Sequence, residues 1–108
     1  MWRSLALGVV VACADASVDG VKLGDETFAN VCARCHGQDG TGGVAAPGTL
    51  RPRDLSDPAW QASMGDGQIE AIIIAGRTVM PPFQSALSHE RIQAVVNKVR
   101  RLVKKGTP

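Results

Sequence analysis

The chain has 108 residues, with 12 Lys and Arg against 10 Asp and Glu, for a net charge of +2. That length gives one domain, and so slight an excess of positive charge excludes the broad basic surface of a nucleic-acid-binding protein. Two Trp, two Phe and no Tyr leave little aromatic material for a protein core.

Residues 1–16 read as an export signal. Arg3 supplies the positive start, an apolar run extends from Leu5 to Ala12, and Ala14, Asp15 and Ala16 provide small residues for cleavage after Ala16. The run is shorter than the roughly 20 residues a bilayer-spanning helix needs. Two competing readings are a buried N-terminal element and a lipid anchor. The anchor would sit at Cys13, which follows Val10, Val11 and Ala12 as in a bacterial lipid-modified cysteine. Export makes residues 17–108 the working domain, periplasmic or otherwise outside the cytoplasm, where Cys32 and Cys35 would be paired or consumed by a cofactor.

The spacing of Phe28, Val31, Cys32 and Cys35 predicts a first helix over about Gly24–Arg34, stopping at Gly37. From Gly37 to about Gly65 periodicity vanishes among Gly40, Gly42, Gly43, Gly48, Pro47, Pro52 and Pro58. So long a loop suits a segment wrapped around something it binds. Asp66 is expected to cap a second helix carrying Ile69, Ile72 and Ile73, which Gly76 ends after Ala75. A turn with Met80, Pro81, Pro82 and Phe83 follows.

Ser88 then caps a last helix to about Lys104, with Leu87 and Ile92 at the positions of a hydrophobic staple. Its buried stripe is Ile92, Val95, Val96, Val99, Leu102 and Val103, and its other face carries Arg91, Lys98, Arg100, Lys104 and Lys105. That basic face is either solvated or a dock for an acidic partner. The sum is an all-α chain of three main helices and long loops whose own side chains leave room for a large apolar group at the centre.

Cys32, Ala33, Arg34, Cys35 and His36 form the attachment signature of c-type haem. Two thiols three residues apart on a helical turn can each add to a vinyl group on one porphyrin edge, and the next residue then faces the iron. A thioredoxin-like pair would need a strand ahead of Cys32, and none is expected there. A zinc site would need four donors, and residues 17–108 add only His89 and carboxylates to this set.

With His36 on one side of the iron, the sixth position separates electron transfer from ligand chemistry. Met80 is the candidate, in a turn that Pro81 and Pro82 stiffen. Met64 reads as core filler. His89 offers a bis-histidine alternative, though as the first residue after the Ser88 cap it is more simply exposed.

Over residues 22–105 the chain resembles the class I cytochrome c family in its small bacterial monohaem form. The resemblance rests on Gly24 and Phe28 ahead of the Cys32–His36 motif, on the Met80-Pro81-Pro82-Phe83 turn and on the basic terminal helix. It implies one haem c bound through Cys32 and Cys35, with His36 and Met80 as axial ligands. It also implies that Gly24 and Phe28 pack near Val95 and Val99, and that the Pro47 carbonyl accepts the second ring proton of His36. Trp60 would hydrogen-bond a haem propionate and Arg53 would pair with one. The function implied is one-electron transfer between redox proteins rather than enzymatic turnover, by a monomeric carrier or by the haem subunit of an exported oxidoreductase. Residues 48–65 differ from mitochondrial cytochrome c, so the donor and acceptor stay unspecified.

Overall fold

The computed structural model describes residues 17–43 and 51–104. The expected export signal, Cys13 and Pro47 lie outside them. Helix formation starts at Val18, ahead of the expected Gly24. Helix α1 (Val18–Thr27) is capped by Ser17, whose Oγ accepts from Gly20 N at 2.9 Å. Its first turns carry Asp19 and the exposed Lys22 and Glu26, spaced four apart. They present no apolar stripe, so periodicity does not reveal them. The chain continues through a π-helical turn (Phe28–Cys32) into α2 (Ala33–His36), which Gly37 ends at φ 81°. The π turn ends at Cys32, the first of the two cysteines, and such turns recur at functional sites.

The expected loop from Gly37 to Gly65 contains a helix, α3 (Pro58–Ser63), with Pro58 in its first turn and Asp57 accepting from Ala59 N at 3.1 Å. Helix α4 (Asp66–Ala75) is capped by Gly65 and not by Asp66, whose carboxylate sits in the first turn. The backbone N–H of Gly65 donates to the Gln68 side chain at 2.7 Å. Gly76 ends α4 as expected. Helix α5 (His89–Arg101) starts behind Ser88, whose Oγ accepts from Arg91 N at 3.2 Å. It stops short of the expected Lys104, whose N–H turns aside to donate to Ser56 O at 2.8 Å. No strand occurs among the described residues.

Helices α1 and α5 pack against each other so closely that Gly24 abuts the carbonyl oxygen of Ala94, leaving no space for a side chain. Phe28, Val95, Val96 and Val99 form the centre of the core, joined by Leu55, Ile69, Ile73 and Ile92. Phe28, only 1 % exposed, contributes about 1.5–3 kcal/mol by leaving water. Leu87 packs on this cluster beside the start of α5, in keeping with a staple. Buried Gln61 of α3 donates through Nε2 to the carbonyls of Leu55 at 2.7 Å and Val99 at 2.8 Å. Arg100 of α5 clasps the same helix, donating to Gln61 O and Oε1, to the Met64 carbonyl and to Asp66 at 2.6 Å. These contacts hold α3 and the start of α4 on α5 with no apolar stripe of their own.

Candidate functional site

The helices leave open a cavity of about 1020 Å³, at the upper end of the range for sites that hold a small organic ligand. The π turn and α2 bring Cys32, Cys35 and His36 to it. The segment after α4 brings Met80, Pro81 and Phe83, α3 brings Trp60, and Phe28, Ile69, Ile73, Val95 and Val99 supply apolar wall. Thus four of the expected site residues, together with Trp60 and Arg53, line one space.

His36 is held by a local chain of contacts. Gly42 N donates to the His36 carbonyl at 2.7 Å, and Nδ1 of the ring lies 3.0 Å from the carbonyl oxygen of Arg53. A carbonyl only accepts, so Nδ1 carries the proton and Nε2 keeps its lone pair for a metal. The resemblance gave this role to Pro47, which lies outside the described residues; the carbonyl found at the ring belongs to Arg53. The exposed Arg53 side chain also lines the cavity. A backbone acceptor has no side-chain signature, so the sequence offers no signal for it.

Met80 is fixed by its own turn. Arg77 N donates to Met80 O at 3.0 Å and Met80 N to Arg77 O at 2.9 Å, with Thr78 at φ 53° between them. Phe83 N and Gln84 N then donate to Ile73 O and Ile74 O at 2.9 and 3.3 Å, fastening the following residues to α4. Met64 packs against the core and Trp60 is half-buried on α3. His89 is 80 % exposed and faces Glu70 at 3.9 Å, away from the residues of the cavity.

Neither Cys32 nor Cys35 is in a disulfide. Burial, and to a lesser degree the neighbouring Cys35, pushes the Cys32 thiol up to about 11. Cys35 is exposed. Among the described residues no group of three His, Cys, Asp or Glu side chains is placed to hold a metal ion by itself. A donor set of two free thiols, one imidazole with Nε2 available and one thioether, on an apolar cavity, fits a flat macrocycle that carries its own metal.

Residues 19–97 match the family described as cytochrome C oxidase, cbb3-type, subunit III. The chain belongs to this family of c-type cytochromes. A solved structure described as KustC0563 c-type cytochrome is similar at 31 % sequence identity and a TM-score of 0.63, over 75 % of this chain and 98 % of that one. The all-α class expected from sequence is thereby the fold of a c-type cytochrome, and family membership implies haem c and electron transfer for the domain.

Proposed function

We propose that this cytochrome is an exported one-electron carrier. Its single haem would be bound through Cys32 and Cys35, with His36 and Met80 as the iron's axial ligands. The observation that carries the reading is the convergence of these four side chains on one cavity, with the Nδ1 proton of His36 committed to Arg53. When bound, haem supplies an Fe(III)/Fe(II) couple. His36 would donate the Nε2 lone pair, with the Arg53 carbonyl holding the ring and raising its basicity. Met80 presents a thioether on a turn closed at both ends, which favours the reduced state and a relatively high potential. The apolar walls would keep water from the metal, and with His36 and Met80 both holding it no ligand would have to enter or leave during transfer.

The N-terminal pattern of Arg3 and Leu5–Ala12 supports export with cleavage after Ala16, and Cys13 supports a lipid-tethered variant of the same reading. The family's description supports a second reading, in which the domain is the haem subunit of an exported oxidoreductase. Sizing of native extracts separates the two: a carrier elutes as a monomer, a subunit with a larger complex.

The test is the optical spectrum of purified protein beside that of Met80→Ala. The wild type should show a c-type haem with a sulfur-to-iron charge-transfer band when oxidised and should not bind carbon monoxide when reduced. The variant should lose the band and bind carbon monoxide. A wild type that binds carbon monoxide readily would refute Met80 ligation.

A further inference from the structure

Among the described residues the left-handed backbone conformation falls to the glycines Gly37, Gly40, Gly42, Gly43 and Gly76, with one exception. The exception is Thr78, at φ 53°. A Cβ is disfavoured in that region, and a β-branched side chain most of all. Thr78 stands two residues ahead of Met80 and lines the same cavity.

The turn around Thr78 imposes this conformation. Arg77 and Met80 exchange both backbone hydrogen bonds, at 3.0 and 2.9 Å, and pair as an antiparallel bridge. Only Thr78 and Val79 are left to reverse the chain. A two-residue reversal needs a left-handed residue at its first position or at both. Val79 is not left-handed, so the demand falls on Thr78 alone, at a position where glycine is the rule. Beyond Met80 the chain cannot give way. Pro81 and Pro82 have fixed φ, Phe83 N and Gln84 N are bonded to α4, and Gly76 abuts the Met80 carbonyl. Thr78 and Val79 are themselves exposed. The strain therefore has one outlet, the opening of the two Arg77–Met80 bonds, which lets Thr78 return to an ordinary φ and carries Met80 with it.

From this we infer that Thr78 is a positioning residue whose strained backbone sets how readily Met80 gives up its place in the cavity. The closed turn presents the sulfur, and the open turn is the relaxed one. The inference rests on the proposed ligation by Met80. Strained residues persist only where their surroundings over-determine them, as the prolines and Gly76 do here, and they cluster at functional sites. Their usual cost corresponds to about a five- to hundredfold bias toward the open turn. Glycine at this position would remove the clash but add backbone freedom to the open form, leaving a net gain of roughly fivefold for the closed one.

The probe is imidazole, titrated into the ferric holoprotein. Its nitrogen lone pair takes the place of the Met80 thioether when the turn opens, with no electron transferred, and loss of the sulfur-to-iron band gives an apparent Kd. Thr78→Gly should raise that Kd about fivefold over wild type. Thr78→Ala lacks the hydroxyl and the branch but keeps the Cβ, so its Kd should lie closer to wild type than to T78G. Val79→Gly adds freedom where no left-handed residue is needed, so it should lower the Kd. A T78G protein that binds imidazole as tightly as wild type or tighter would overturn the assignment. So would a T78A protein that matches T78G, or a V79G protein with an equally raised Kd, since either would show that φ at position 78 is not the cause. A wild-type oxidised spectrum without the sulfur-to-iron band would instead overturn ligation by Met80, and this inference with it.

Discussion

A Cβ on Gly76 would lie 2.7 Å from the carbonyl oxygen of Met80 and 2.8 Å from Pro82 N, and the residue sits at φ 74°. The end of α4 and the Met80 turn are therefore in backbone contact, and only glycine fits between them. Gly76→Ala should cost about 1–3 kcal/mol and weaken the sulfur-to-iron band by shifting the turn. Gly67, with nothing within 4 Å of its would-be Cβ, provides the contrast. Gly67→Ala should stabilise α4 by up to about 1 kcal/mol and leave the band untouched. Thermal unfolding and the oxidised spectrum check both.

The two thiols of the haem-free protein should differ in reactivity. Cys32, raised from an ordinary 9.0 to about 11, should hold about 100-fold less thiolate at pH 8 than an ordinary cysteine. Iodoacetamide should therefore alkylate exposed Cys35 first, as read by peptide mass mapping over time. In the holoprotein neither thiol should react.

Gln61 and Arg100 attach α3 to the terminal helix through polar contacts alone. Gln61→Leu removes two buried donor contacts and strands the carbonyl of Leu55, so it should destabilise by about 1–3 kcal/mol. Arg100→Met should act similarly, by releasing Gln61, Met64 and Asp66 together. Because Trp60 lies on α3, either variant should also change the fluorescence of that residue. Denaturant unfolding measures the first effect and emission spectra the second.

Hydrogen bonding from Lys98, and then from Arg101, holds Asp25 below its ordinary 3.8. A carboxyl lowered on folding stabilises the protein above its unfolded value, and the contribution is lost as pH falls through the folded one. The pair is half-exposed, so Asp25→Asn should cost less than about 1 kcal/mol at neutral pH. The difference from wild type should fade as pH drops well below 3.8, and high salt should shrink it further. Urea unfolding of both proteins across that range provides the measurement.

The site was legible where chemistry fixes spacing. The Cys32–His36 motif follows from the reach of two thiols to one porphyrin edge, and Met80 stood out because two prolines follow it. Gly37, Gly76 and Ser88 ended or began helices as expected, since their effects are local backbone ones. The start of α1 was hidden because Asp19, Lys22 and Glu26 make its first turns polar. Helix α3 was hidden because, Trp60 apart, it is held by Gln61 and Arg100 rather than by an apolar face. The Arg53 carbonyl at His36 was beyond sequence reading, because any residue offers a carbonyl and only the folded path selects one. The pairing of α5 cations with Asp25 and Asp66 also depends on tertiary contacts.

The most direct measurement of covalent haem binding is acidified organic extraction of the purified protein beside its C32S/C35S variant. The account predicts that the wild-type polypeptide keeps its haem absorption through extraction and shows an intact mass larger by one haem, while the variant gives up any haem to the organic phase. Wild-type polypeptide that emerges colourless, at the mass of the peptide alone, would contradict it.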